Sequence, residues 1–493
     1  MAERKRKRTR GLFAPRMASA LARLAVLTLL AGCATLEQQG MTPPPPQTAA
    51  PKALRDTPQD AERKRLIALY GGEYQWPRAQ TYLDQVLVRL ATASDTPTQP
   101  YRVTILNSAV VNAFALPSGD LFVTRGMLAL ANDTSEVAAV MAHEIAHVTA
   151  RHAFLRAEKE KTEAVIAQAS QIIESRQKSD EIEAAAARTI ASYSRQQEFE
   201  ADRVGIDVIA RGGYDPFAAS RFLTALGRSS EMRAELIGQA DSSRPDILAT
   251  HPSTPERVAV ALQVARQFGA PGVGDRARQP YLDAIDGVMF GDDPTDGAIR
   301  GRAFIHPRLG FAFEAPEGYV LQNSAQAVLG VASGGAEALR FDSVRAPAGK
   351  SLKAYLTSGW IDGLLASSIR EDKVNGLPAV YADARAGEWN FRVAAIAFNG
   401  DIYRMIFAVK AMTPETSKRF DESIASFHPI TPDEQKLAQP LHLRLAVAGL
   451  GDNATTLAAK MALIDRPLQQ FELLNGLDSD QLKPGESYKI VAY

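Results

Sequence analysis

Residues 141–152 read MAHEIAHVTARH, with two histidines four apart and a glutamate between them. On a helix, His143 and His147 project from one face with side chains about 5–6 Å apart. Two imidazole nitrogens at that spacing can meet a single zinc ion, at about 2.0–2.1 Å each. Glu144 is turned by one residue and can reach a water beside the metal as a general base. The chain holds only seven histidines, so this pairing around a glutamate points to metal chemistry rather than to chance. The preceding SEVAAVMA supplies the helix, with Val137, Val140 and Met141 at i, i+3 and i+4 on an apolar side. His152 lies five residues past His147, about 140° further round a continuing helix, which turns it toward packing or solvent.

A hydrolytic zinc site takes three protein ligands and leaves a fourth position open. The stretch SRQQEFEAD (194–202) places Glu198, Glu200 and Asp202 at every second position of a helical segment. At about 100° per residue, Glu198 and Asp202 fall within about 40° of each other, while Glu200 points to the opposite side as a solvated surface acid. Metal-bound histidines usually donate their other N–H to an oxygen acceptor, so the pair suits one ligand and one supporting acid. His251 is a further candidate, and spacing alone does not rank the three.

HEIAH, then YSRQQEFEADRVG about fifty residues on, then GGYDP, with VNAFALPSGDLFVTRGML ahead of them, resemble the HtpX/BepA and CAAX-prenyl-protease type of gluzincin zinc peptidase. The resemblance covers roughly 105–260. It implies one zinc per chain, Glu198 as the third ligand and Asp202 next to it. Ser118 is a departure, standing where the family often has a second glycine. HPSTPERV (251–258) matches the family's HPxxxxR pattern at His251 and Arg257. That match puts His251 close to the zinc, as an oxyanion stabiliser or an inhibitory fourth ligand, and imidazole chemistry permits both. Thr254 and Pro255 suit the N-cap and first position of the helix that follows. The implied activity is that of an endopeptidase in which Glu144 carries a proton from water to the leaving amine. The strand near 111–116 would offer its backbone edge to an extended substrate.

These residues need helices to hold them, and the pattern from 61 to 275 is mostly helical with one strand-like island at 111–128. Helices are expected at about 134–156, 157–178 and 181–210. The last stops at Gly212-Gly213, and Asp215-Pro216 opens the next. GAPGVGDRARQP (269–280) reads as a linker. Residues 300–430 change to strands with two helices, including a hairpin at 391–409 turned by Asn399-Gly400 and an amphipathic helix at 413–427. No catalytic constellation appears there, and His306 and His428 read as surface or packing histidines. Residues 438–493 resemble a LysM βααβ module, which implies binding to N-acetylglucosamine polymers. Its usual opening is replaced by Gly451-Asp452-Asn453-Ala454-Thr455. The expected fold class is α+β and multidomain: a mainly helical zinc-peptidase domain with a small sheet, an α+β middle domain, and the small LysM-like module.

The net charge of zero hides eight basic residues against one acid in residues 1–32, which leaves the remainder mildly acidic and gives no reason to expect nucleic acid. The basic start precedes the apolar ASALARLAVLTLLAG, too short to span a membrane and so an export signal. It runs into LLAGC, which resembles a bacterial lipobox, with the chain's single cysteine, Cys33, as the lipidation site. Ala34 after it favours an outer-membrane anchor, by the same resemblance, and a Pro-rich tether fills 34–60. The expected partners are unfolded or misassembled envelope proteins, the membrane through Cys33, and peptidoglycan through 438–493. Two other functions fit: an outer-membrane assembly chaperone whose zinc site His251 latches, and a cell-wall scaffold.

Overall fold

Helix α1 (Pro58–Leu69) opens at a Thr57–Asp60 capping box, and α2 (Pro77–Ala93) buries Ala79, Leu83, Val86, Leu87 and Leu90 along one stripe. These are the first elements of a computed structural model that describes residues 57–155, 195–237, 251, 254–323, 327–332, 336–462 and 466–493. The expected export signal with Cys33, nearly all of the expected tether, the helix expected at 157–178 and the first part of that expected at 181–210 fall outside the described residues.

A three-stranded sheet follows, from β1 (Arg102–Leu106), β2 (Ala113–Ala115) and β3 (Asp120–Thr124), in the order β1-β3-β2. Strand β3 pairs parallel with β1 and antiparallel with β2, so β2 is an edge. The strand-like island stops short of 128, because the Thr124 hydroxyl accepts the Met127 N–H and caps α3 (Arg125–Leu130).

Helix α4 (Thr134–Thr149) is buried without a break from Thr134 to Ala146, so it runs through the core rather than along its surface. Its N-cap, Asp133, accepts the Glu136 N–H. Arg221 on α6 (Ala218–Ile237) reaches Asp133, Glu136 and Asp215, tying α6 to that buried helix start. Between them in sequence, residues 195–211 form helix α5. Gly205 brings α5 against α4 backbone to backbone: a Cβ there would stand 3.0 Å from the His143 nitrogen and 3.2 Å from its Cα. Helix α7 (Pro255–Ala265) starts as expected, with Thr254 Oγ1 accepting the Arg257 N–H and Pro255 at its first turn.

The expected linker at 269–280 is instead packed structure. Its glycines Gly269, Gly272 and Gly274 adopt positive φ and fold the segment onto the start of α4. There the Arg276 carbonyl accepts the Thr134 N–H and the Asp275 carbonyl accepts the Ser135 hydroxyl. Helix α8 (Arg278–Ile285) then buries Tyr281 and Leu282 completely in the same core.

That core also takes in the last segment. Strand β5 (Leu441–Val447), two helices at Ala454–Ala458 and Pro467–Asn475, and strand β6 (Ser487–Ala492) follow in order. Strand β5 pairs antiparallel with β6 and with β4 (Met289–Phe290). Leu443, Leu457, Phe471 and Val491 are fully buried in one cluster with α2, α4 and α8. Lys489 is completely buried, and its ammonium donates at 2.7 Å to the carbonyls of Ala129 and Ala131, where α3 ends.

Residues 298–429 have a core of their own. A seven-stranded antiparallel sheet and a four-stranded sheet enclose Phe304, Phe311, Phe313, Phe341, Phe407 and Phe427, with Phe420 and Ile424 of the helix Pro414–Ala425 packed in. The hairpin turns at Asn399 (φ +50°) and Gly400 (φ +84°), the type I′ geometry that the Asn-Gly pair favours. His306 is buried there, and His428 Nε2 meets Glu434 at 2.9 Å, so both are packing residues.

Candidate metal centre

His143 and His147 turn their Nε2 atoms to the same point, 3.0 Å apart. Glu198 enters from α5 with its two oxygens 3.4 Å from the two nitrogens. His251 comes from the residues ahead of α7, its Nδ1 3.2 Å from His143 Nε2 and 2.9 Å from each Glu198 oxygen. Donors that share a tetrahedral ion at about 2.0–2.1 Å stand about 3.3 Å from one another, so these four fit one metal ion. All lie within 4.8 Å of each other.

The ligand set is braced from outside. Asp202 sits one helical turn past Glu198, with Oδ1 3.0 Å from His143 Nδ1. Arg257 grips Asp202 through Nε and Nη2 at 2.7 and 2.6 Å, and its Nη1 lies 3.0 Å from Glu198 Oε2. A buried bidentate pair of this kind is strong and directional, and it joins α7 to α5. Spacing had left Glu198 and Asp202 equivalent; the fold separates them, one facing the donor cluster and the other the far nitrogen of a ring.

Burial and charge set the protonation of the cluster. Burial disfavours the His143 imidazolium, yet Asp202 and Glu198 raise its pKa to about 10. Burial also disfavours the Glu198 carboxylate, but hydrogen bonds from His143 and His251 outweigh it and hold the group far below the usual range. His147 is driven well below its ordinary value, by burial first and then by the charges of His143 and His251. Glu144 is raised, by burial above all. Its Oε1 is buried with no hydrogen-bond partner among the described residues, and lies 3.7 Å from His251 Nε2.

Strand β2 lies against α4. The Thr124 N–H meets the Asn112 carbonyl and the Leu116 N–H meets the Asp120 carbonyl, so alternate residues 112, 114 and 116 bond to β3. Ala113 and Ala115 therefore turn their N–H and C=O groups to the edge that no described strand covers, Ala113 fully buried and Ala115 partly so.

Two residues outside the donor cluster lie nearer to it than their spacing suggests. His152 is 2% exposed and its Nδ1 stands 2.8 Å from His147 Nδ1, rather than facing away. Glu200 is largely exposed, as expected, but its Oε2 comes within 3.5 Å of His152 Nε2. No residue type signalled the break after α4 that brings His152 back; Arg151 takes φ +55° without being glycine.

Two histidines and a glutamate around one point, a second, buried glutamate beside them, and an edge strand alongside make the central region an HExxH metallopeptidase domain. Residues 77–265 match the profile of Peptidase family M48, and by that match the region is a peptidase domain of this family. The chain is 31% identical over 218 residues to the beta-barrel assembly-enhancing protease of Escherichia coli (strain K12), covering 42% of each chain. It is 31% identical over 202 residues to the putative beta-barrel assembly-enhancing protease of Vibrio cholerae, covering 39% of this chain and 40% of that one. Mitochondrial metalloendopeptidase OMA1 of Arabidopsis thaliana is 27% identical over 194 residues, 38% of each chain. The matches thus span about two fifths of the length of these curated relatives. No helix among the described residues is long and apolar enough to cross a membrane.

Proposed function

We propose that the chain is a zinc-dependent endopeptidase of the bacterial envelope that degrades unfolded or misassembled outer-membrane and periplasmic polypeptides. The observation that carries this reading is the buried Glu144 oxygen, unpartnered among the described residues, beside a four-donor cluster of metal-binding dimensions. When bound, zinc would polarise the scissile carbonyl and a neighbouring water. His143 Nε2, His147 Nε2 and a Glu198 oxygen would hold the ion, while Asp202 and Arg257 keep His143 and Glu198 aimed. Glu144 takes the proton of the attacking water on a carboxylate oxygen and gives it to the leaving amine nitrogen. Burial raises its pKa, which favours uptake of the water's proton. A substrate strand pairs with the edge of β2 at Ala115, a mode that reads extended shape more than side chains. The export signal, the lipobox at Cys33 and the names of the relatives support the envelope setting. Glu144→Gln should abolish cleavage of an unfolded protein while zinc stays bound. Cleavage at the wild-type rate would refute the mechanism.

His251 supports a second reading, in which the site rests closed. Its Nδ1 occupies the fourth donor position, where a substrate carbonyl or water would have to enter. In that form the chain acts chiefly as an assembly factor, and proteolysis follows withdrawal of His251. His251→Ala then raises casein digestion; lost digestion would mark His251 as a stabiliser of the reaction's oxyanion instead. Peptidoglycan binding through 438–493 and a lipid anchor at Cys33 complete the proposal, and retention on isolated peptidoglycan tests the former.

A further inference from the structure

We propose that His152, backed by Glu200, is the positioning partner of His147 and holds that ring in its metal-binding tautomer; this rests on the reading of the cluster as a metal site. Helix α4 gives way at Ala150 and Arg151, and a fresh helical turn at 152–155 lays His152 over the back of His147. The two rings meet edge to face, 4.8 Å between centroids.

The tautomers follow from the contacts. His147 Nε2 faces the cluster, so it must be bare to bind a metal, and the ring's hydrogen sits on Nδ1. That Nδ1–H points at His152 Nδ1, 2.8 Å away, which must be bare in turn to accept it. The hydrogen of His152 is thereby placed on Nε2, a buried atom with no hydrogen-bond partner among the described residues, turned toward the Glu200 carboxylate at 3.5 Å. A negative charge on that side favours the Nε2–H form. Gln197, next to the ligand Glu198, donates to the His152 carbonyl at 3.1 Å and fixes the residue to α5.

Each of the three proposed protein ligands then has one brace: Asp202 for His143, Arg257 for Glu198 and His152 for His147. The opposite faces of α5 divide the work, Glu198 and Asp202 inward and Glu200 around the end of α4. Outer partners of metal-bound imidazoles fix ring orientation and raise ligand basicity, and losing one typically weakens metal binding 10–100-fold.

The test is zinc affinity of the full chain by chelator competition, for wild type, His152→Phe and His152→Gln. His152→Phe should bind zinc ~10–100-fold more weakly, and His152→Gln, whose carbonyl can accept the Nδ1–H, should recover most of the loss. Equal weakening in both variants, or binding by folded His152→Phe within about twofold of wild type, overturns the inference. Wild type that binds no zinc overturns the metal-site reading itself. Should His152→Phe fail to fold, ¹⁵N-histidine NMR of the zinc-loaded wild type decides, with seven histidines to assign. Hydrogens on His147 Nδ1 and His152 Nε2 are expected. A wild-type His152 protonated on Nδ1 refutes the arm.

Discussion

Replacing Gly205 with alanine adds one methyl group far from any reacting atom, yet it should loosen the metal site. Glu198, Asp202 and Gly205 fall at i, i+4 and i+7 of α5, so the two acids and the point of closest helix contact share one stripe. The new Cβ would meet three backbone atoms of α4: His143 N at 3.0 Å, His143 Cα at 3.2 Å and Ala142 C at 3.3 Å. Backbone in a buried helix cannot swing aside, so α5 must back away by roughly half an ångström to restore ordinary contact. Metal–ligand distances tolerate only about ±0.2 Å, and the shift carries Glu198 away from both histidines. Zinc affinity should fall at least ~10-fold, comparable to losing an outer partner. Stability changes less, because an overpacking cost of about 1–3 kcal/mol is partly offset by about 1 kcal/mol of helix propensity gained. Chelator competition measures the first quantity and urea unfolding of metal-free protein the second. A folded Gly205→Ala protein with wild-type zinc affinity would show that the helix contact does not set the ligand geometry.

Metal and proton should compete at His143. Its folded pKa is raised to about 10, so in metal-free protein its stabilising contribution is complete below the unfolded value near 6.5 and is lost as pH rises toward 10. Thermal unfolding of chelated protein should therefore weaken across that window, while zinc affinity rises roughly tenfold per pH unit between about 6.5 and 8.5; a flat affinity profile would contradict it. Lys489→Ala leaves the Ala129 and Ala131 carbonyls buried without their donor, a loss of about 2–6 kcal/mol at about 1–3 per carbonyl, measured as a lower urea midpoint. An unchanged midpoint would mean that water reaches those carbonyls.

The parts of the site that follow from a regular helix were readable in advance. His143, Glu144 and His147 needed only 3.6 residues per turn, and the pairing of Glu198 with Asp202 needed the same rule one helix later. Ranking those two required knowing which end of a histidine each would meet, which depends on how α5 lies across α4. His152 was misplaced because its angle was extrapolated along a helix that had already ended, with no glycine or proline to announce the stop. The Asn399-Gly400 hairpin was legible for the opposite reason, since few other residue pairs accept two left-handed positions. The order of elements in 440–493 was also legible, but its burial was not: a lysine in a strand reads as solvent-facing until two carbonyls are found waiting for it.

Lys489 has a consequence for how the molecule comes into being. It contacts Ala129, 360 positions earlier in the chain, and the strand that carries it helps close the core around the helix that bears His143 and Glu144. Pairings of such long sequence separation form late and slowly. A chain emerging N-terminus first displays HExxH long before the residues that shut its hydrophobic compartment. A chain that stopped short of Lys489 would leave the Ala129 and Ala131 carbonyls without their donor and the core around that helix unclosed.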